Sequence, residues 1–352
     1  MRSPRSFFEP LAIGAPQPLR AIPPVPSRMI HFFDPGNPKM VTKLPSLATS
    51  VDVLLGNLED AIESSRKDQA RAALVDVACT TDLGTTSLWA RVNALNSPWF
   101  IEDITRLVSE AGEQIDVLMV PKVEGPEDIE FVDRLVALLE ARAGISRPLQ
   151  LHAILETSRG VANVEAICMA SPRMQGVSLG PADLAADRQM KTTAVGGGHP
   201  GYLVREDPPG GDVHAVRTTA QQDLWHYTLA RMVDACRLAG IQPYYGPFGD
   251  IRDVVACEDQ FRNAYVMGCV GAWSLHPVQI DIARRVFTPD EGQVAWARQV
   301  LAALADGSGA VMIDGKMQDD ATFKQCANVV ALADLISERD RLLESRSDGR
   351  ST

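Results

Sequence analysis

An α/β fold, a (β/α)8 TIM barrel with a C-terminal helical appendage, is what three features of this 352-residue chain predict. Short apolar or β-branched runs recur eight times, and longer stretches with helical spacing lie between them. Strands alternating with helices imply parallel βαβ units, and eight such units suggest closure into a barrel. The first run leads into DPGNPKM, which lacks the glycine-rich turn that follows the first strand of a doubly wound sheet.

Residues 1–27 are proline-rich and read as an extended N-terminal arm. The strand runs follow: RMIHFF (28–33), VDVLLGNLE (51–59), SLWARVNA (87–94), DVLMVPK (116–122), LQLHAILE (149–156), QGVSLG (175–180), IQPYYGP (241–247) and GAWSLHP (271–277). Between the fourth and fifth, residues 124–144 place Ile129, Val132, Leu135, Val136 and Leu139 on one helical face. Pro126 with acidic neighbours opens that helix and Gly144 closes it. Residues 224–240 and 250–268 read as helices in the same way. Two segments fall outside the repeat. Residues 187–223 are a long Gly/Pro-rich insertion after the sixth strand, expected as a loop of functional or mobile character. Residues 306–352 end in a charged helix. The expected organisation is an arm (1–27), a catalytic barrel (28–305) and an appendage (306–352).

The chain is 45% hydrophobic, enough for a large core, with a net charge of -11 and a pI near 5.1. An acidic surface argues against nucleic acid or an anionic membrane as partner. The six cysteines form no CxxC pair, so a zinc or redox motif is not indicated. No apolar run reaches the length of a membrane span. Pro and Glu interrupt any signal-like core at the N-terminus, so a cytoplasmic location is expected.

Barrels of this type work at the ends of their strands. His31, Phe32, Glu59, Asp60, Arg91, Lys122, Glu156, Asp183 and His276 all fall there. Glu156 ends an otherwise apolar run, and a buried charge must be paired, bound to a metal or reached by solvent. Glu156 and Asp183 end neighbouring strands, and two carboxylates plus waters are the usual protein share of a Mg²⁺ site. The plain alternative for Asp183 is an N-cap of a helix starting near Leu184. Arg91 suits bidentate capture of a carboxylate, or a salt bridge to Glu59 or Asp60. Lys122 offers a Schiff-base aldolase reading. GVSLG matches the serine-hydrolase elbow, but Ser178 falls inside the strand rather than at a turn. GGGHPG (196–201) has no strand before it, GSGAVMIDGKM lacks the spacing of a phosphate loop, and His199, His214 and His226 lack zinc-ligand spacing.

PSRMIHFF, GNLEDAI, RVNALNSPW, MVPKVEGP, ILETSRGV, SPRMQGVSLGPADLAA, MKTTAVGGGHP, YYGPFGDI and MIDGKMQDDATFKQ span nearly the whole chain. On these stretches it resembles the citrate lyase β-subunit-like aldolase family, in particular its malyl-CoA lyase branch. The resemblance implies a Mg²⁺-dependent lyase that reversibly cleaves L-malyl-CoA to acetyl-CoA and glyoxylate. It extends to β-methylmalyl-CoA, giving propionyl-CoA and glyoxylate, and to citramalyl-CoA, giving acetyl-CoA and pyruvate. Mn²⁺ suits the same oxygen donors. By the family pattern Glu156 and Asp183 match the metal ligands, and Arg91 the residue that holds the oxo-acid carboxylate. His31, Phe32, Lys39, Ala182, Asp183, Leu275 and His276 match substrate-binding positions. The family is homo-oligomeric, often hexameric, and the appendage of a neighbouring subunit supplies an acid/base matching Asp314. The residues by themselves favour an exposed turn for Asp314. Other readings are a citrate-lyase-like subunit that depends on an acyl carrier, a serine thioesterase acting through Ser178, and a non-catalytic barrel.

Overall fold

The structure, a computed structural model, describes residues 12–349 apart from 18, 20, 23, 24, 213 and 306–308. Most of the proline-rich arm therefore lies outside the described residues. Six strands come first: β1 (Met29–Phe33), β2 (Val53–Asn57), β3 (Ser87–Arg91), β4 (Val117–Val120), β5 (Gln150–Leu155) and β6 (Met174–Leu179). A short hairpin follows, β7 (Leu203–Arg205) against β8 (Thr219–Gln221). Then come β9 (Gln242–Tyr245) and β10 (Gly271–Ser274). Eight of these close into a parallel barrel in the order β1-β10-β9-β6-β5-β4-β3-β2. Each expected strand run coincides with one barrel strand, β6 beginning one residue before its run. Because all eight are parallel, their carboxyl ends share one rim.

The helices form where local chemistry allows. Helix Pro126–Ala143 has proline in its first turn and Asp128 accepting the backbone N–H groups of Glu124 and Gly125. It stops at Gly144, whose left-handed φ of 68° lacks the Cβ penalty other residues meet there. Its stripe Ile129, Val132, Val136 and Leu139 is buried against the barrel. Side chains alternate across each strand, so two apolar layers result. Met29, Leu54, Leu118 and Leu155 face the helices. Ile30, Val53, Leu55, Trp89, Met119, Ile154 and Trp273 fill the barrel interior.

The insertion is more ordered than its composition suggests. Besides the β7–β8 hairpin, Gly196 and Gly197 adopt left-handed φ of 77° and 76° and pack against the end of β9. The Gly197 N–H donates to the Tyr245 hydroxyl, and the Gly249 N–H to the Val195 carbonyl. A Cβ on Gly196 would lie 2.6 Å from the Pro247 carbonyl oxygen, so glycine is required for this close approach. The expected free loop is thus a seated segment, held by tertiary contacts that composition does not encode.

The C-terminal appendage consists of the hairpin β11 (Ala310–Ile313) and β12 (Lys316–Asp319) and the helix Asp320–Gly349. Ala297, Val300 and Leu304 form a separate apolar cluster with Ile313 and Cys326, so the helix Glu291–Ala303 shares a core with the appendage across residue 305. The terminal helix is tied beneath the barrel at the amino ends of the strands. Arg28 bridges Asp52 and Asp340, and Arg339 donates to the Thr85 and Val51 carbonyls.

Candidate active site

At the carboxyl rim a cavity of about 410 Å³ opens, lined by Phe32, Asn57, Asp60, Arg91, Glu156, Gly180, Ala182, Asp183, Trp273 and Leu275 among others. Arg91, the last residue of β3, is 6% exposed. Its Nη2 lies 2.7 Å from Glu59 Oε2, 3.6 Å from Asp60 Oδ2 and 3.8 Å from Glu156 Oε2. Its Nε is buried and finds no hydrogen-bond partner among the described residues. Leaving a guanidinium N–H dry and unpaired is costly, which suits an anion that arrives from the cavity.

Glu156 stands just past β5, 2% exposed. Its Oε1 accepts the backbone N–H of Lys122 at 2.8 Å. Burial pushes its carboxyl up to about 7; Arg91 and Lys122 oppose the rise, and Asp183 adds to it. A Cβ on Gly180 would lie 2.5 Å from Glu156 Cβ and 2.7 Å from Oε2, so glycine clears the space this carboxylate occupies. Asp183 lies in the first turn of helix Pro181–Asp187, whose N-cap is Gly180. The capping alternative for Asp183 is therefore corrected, because Pro181 starts the helix two residues earlier than Asp183. Its carboxylate is free to face the cavity. Among the described residues no group of three or more His, Cys, Asp or Glu could enclose a metal ion. What converges here is an open pair of oxygen donors with mutual repulsion, and that donor set fits a hard divalent cation completed by substrate and water oxygens.

Lys122 donates to Glu59 and, at 3.4 Å, to Asp60, and approaches Asp183 at 4.0 Å. Burial would lower its pKa, but Glu59, Glu156 and Asp60 outweigh burial and raise it. A Schiff base needs a neutral amine, so this lysine is held in the wrong state for that chemistry. Ser178 is fully buried inside the barrel. Its Oγ lies 2.7 Å from His152 Nε2 and accepts from Trp273 Nε1 at 2.8 Å. Gln175 Nε2 meets His152 Nδ1 at 2.5 Å, which leaves the ring proton on Nε2, aimed at Ser178. That tautomer cannot take a proton from the serine, and no substrate reaches it.

Other predicted positions lie outside the cavity wall. The resemblance implies His31 at the substrate, and its side chain stands behind the strand. Strand alternation turns Phe32 inward and His31 outward, where it pairs with Ser274 at 3.0 Å and is 2% exposed. Burial and His276 lower its pKa to about 4. Lys39 stands exposed on helix Pro38–Val41, while its neighbour Met40 lines the cavity. His276 is the exposed N-cap of helix Pro277–Val286. Asp314 sits exposed at the β11–β12 turn with φ 50° and is not among the residues lining its own chain's cavity. Sequence reasoning missed Asn57, Gly180 and Lys67. One signal for Lys67 was legible: it opens helix Lys67–Thr80, where a cation opposes the helix dipole and so needs another reason to be there.

The family model HpcH/HpaI aldolase/citrate lyase matches residues 28–277. A malyl-CoA/β-methylmalyl-CoA/citramalyl-CoA lyase of Chloroflexus aurantiacus is 57% identical over 95% of this chain and 96% of its own length. An L-malyl-CoA/β-methylmalyl-CoA lyase of Cereibacter sphaeroides is 38% identical over 91% of this chain and 98% of its own. Among solved structures, protein CitE from Mycobacterium tuberculosis in complex with magnesium, acetoacetate and coenzyme A superposes with a TM-score of 0.66. It covers 88% of this chain and 98% of that one at 23% identity, a likeness of fold.

Proposed function

Because the chain belongs to the HpcH/HpaI aldolase/citrate lyase family, we propose that it is a carbon–carbon lyase acting on malyl-CoA and related 3-hydroxyacyl-CoA thioesters. The substrates are L-malyl-CoA, β-methylmalyl-CoA and citramalyl-CoA, as named for the Chloroflexus relative. The observation that carries this reading is the cavity in which Arg91, with an unpartnered buried Nε, stands beside the Glu156–Asp183 pair.

Glu156 and Asp183 hold Mg²⁺, with Mn²⁺ an equal fit to the oxygen donors. When bound, the cation supplies a Lewis acid for the oxygens whose charge develops as the C–C bond breaks. Arg91 holds the carboxylate of the 2-oxo-acid portion, its Nη2 anchored on Glu59 at the cavity wall. Phe32, Trp273 and Leu275 form the apolar wall against the thioester, and exposed Lys39 and His276 flank the coenzyme. In cleavage the hydroxyl gives its proton to solvent, its oxygen becomes the carbonyl oxygen of the oxo acid as the C–C bond breaks, and the electron pair of that bond becomes a thioester enolate. Asp314 from a neighbouring subunit then protonates the enolate carbon, and in condensation it removes that proton. This requires a homo-oligomer, a hexamer in our reading, with arm 1–27, barrel 28–305 and appendage 306–352. We place the enzyme in the cytoplasm; among the described residues no helix is long and apolar enough to cross a membrane.

The test is glyoxylate release from L-malyl-CoA with Mg²⁺ and with excess EDTA. Release should stop with EDTA and return with Mg²⁺, and Glu156→Ala should abolish it while leaving the circular dichroism unchanged. Release that survives EDTA, or near-wild-type activity in the variant, overturns the assignment.

A further inference from the structure

The bend that carries Glu59 and Asp60 has one backbone hydrogen bond across it, from the Ile62 N–H to the Glu59 carbonyl at 3.3 Å. After β2 the chain turns through Glu59–Ala61, where Ala61 has φ 70°, a conformation costly for a residue with a Cβ. Two side chains supply what this bend lacks. Asn57 accepts the Glu59 N–H and donates to the Asp60 carbonyl. From below, the Lys67 ammonium donates to the Leu58 carbonyl at 2.7 Å, the Glu59 carbonyl at 2.6 Å and Asn93 Oδ1 at 2.7 Å.

Lys67 is 6% exposed and makes no direct carboxylate pair; its three N–H groups are used on these three oxygens. Asn93 is fixed in turn. Its N–H and Nδ2 both donate to Asp103 Oδ2, and Arg71 Nε donates to Asp103 Oδ1 at 2.7 Å. The result is a buried chain from Arg71 through Asp103, Asn93 and Lys67 to the backbone of Glu59. Glu59 in turn meets Arg91 at 2.7 Å.

Building on the proposed lyase function, we infer that Lys67 is a positioning residue for the 2-oxo acid: it sets the bend so that Glu59 holds the Arg91 guanidinium at the cavity wall for the substrate carboxylate. Lys67 touches neither substrate nor the reacting atoms. Its influence runs through the Leu58 and Glu59 carbonyls and the Glu59–Arg91 ion pair, so it falls on the oxo acid and not on the thioester.

The test is steady-state condensation of acetyl-CoA with glyoxylate, comparing wild type with Lys67→Met, which keeps the stem and removes the ammonium. The expected result is a KM for glyoxylate raised at least tenfold with the KM for acetyl-CoA within twofold. A crystal structure of the variant should show the Glu59–Arg91 contact lengthened or lost. A merely structural lysine predicts a lower melting temperature with both KM values unchanged and the contact intact, and that outcome overturns the inference. If Lys67→Met does not fold, Asn93→Ala removes one anchor of the ammonium and should raise the glyoxylate KM roughly threefold or more; an unchanged value overturns the inference. Inactivity of wild type would sink the lyase reading, while the Glu59–Arg91 geometry in the variant crystal would still decide the role of Lys67.

Discussion

Glu156 meets two opposing demands: it is almost fully buried, and it must stay anionic to hold a cation. The space for it comes from Gly180. A methyl group there would press on the glutamate Cβ and Oε2, and the neighbouring strand leaves nowhere for the side chain to retreat. Gly180→Ala should therefore lower kcat at least a hundredfold and lower the melting temperature as well, read from lyase assays and thermal melts on one preparation. Ser178 makes the converse case. Its hydroxyl is the partner of His152 and Trp273 inside the barrel and has no route to substrate. Ser178→Ala should leave turnover within threefold but cost about 1–3 kcal/mol of stability, because the His152 and Trp273 N–H groups are left unsatisfied. Loss of turnover without loss of stability would restore the thioesterase reading. The motif match and the strand position of Ser178 were both legible in sequence. That the elbow is absent followed from the place of Ser178 inside the strand rather than at a turn. His152 as its partner was not, because the two meet diagonally across β5 and β6, whose register pairs His152 with Gly176 and Ser178 with Ile154.

At the scale of elements, the barrel is clamped by buried ions that no periodicity reveals. Arg173, just before β6, bridges Asp133 and Glu140 of helix Pro126–Ala143 at 2.6 Å each. All three are buried, and burial raises Glu140 even with Arg173 opposing it. The guanidinium also donates to the Leu149 carbonyl at 3.0 Å, so one side chain ties a helix to two strands. Arg173→Met would leave two buried carboxylates without their cation and should cost about 3–5 kcal/mol, measured by urea unfolding. A cost below about 1 kcal/mol would mean that the cluster contributes specificity rather than stability. The helix itself was readable from its proline, its apolar stripe and Gly144. The seat of the 187–223 insertion was not, because its glycines match loop composition whether or not a strand end lies beside them.

For the molecule as a whole, buried histidines set the acid limit. His152 is fully buried, and burial lowers its pKa from the ordinary 6.5 to about 3. The folded protein keeps this ring neutral while the unfolded chain binds a proton below pH 6.5. Stability from this group is therefore complete above that value and is lost progressively as pH falls towards 3. Between pH 7 and 5 the loss is about 2 kcal/mol. Urea unfolding at the two pH values should show wild type losing that much more than His152→Gln; equal losses would place the acid sensitivity in the carboxylates instead.

The sequence by itself determined the barrel, its eight strands, the family and the rim on which chemistry-bearing residues gather. Those properties follow from local periodicity, helix-stop chemistry and the common direction of parallel strands. Tertiary structure alone decided which of those residues face the cavity. It turned Phe32 inward and His31 outward, cleared Glu156 by a glycine on the next strand, and braced Glu59 through Lys67. These outcomes depend on contacts between residues 8 to 243 positions apart, and composition and spacing along one strand carry no information about such contacts.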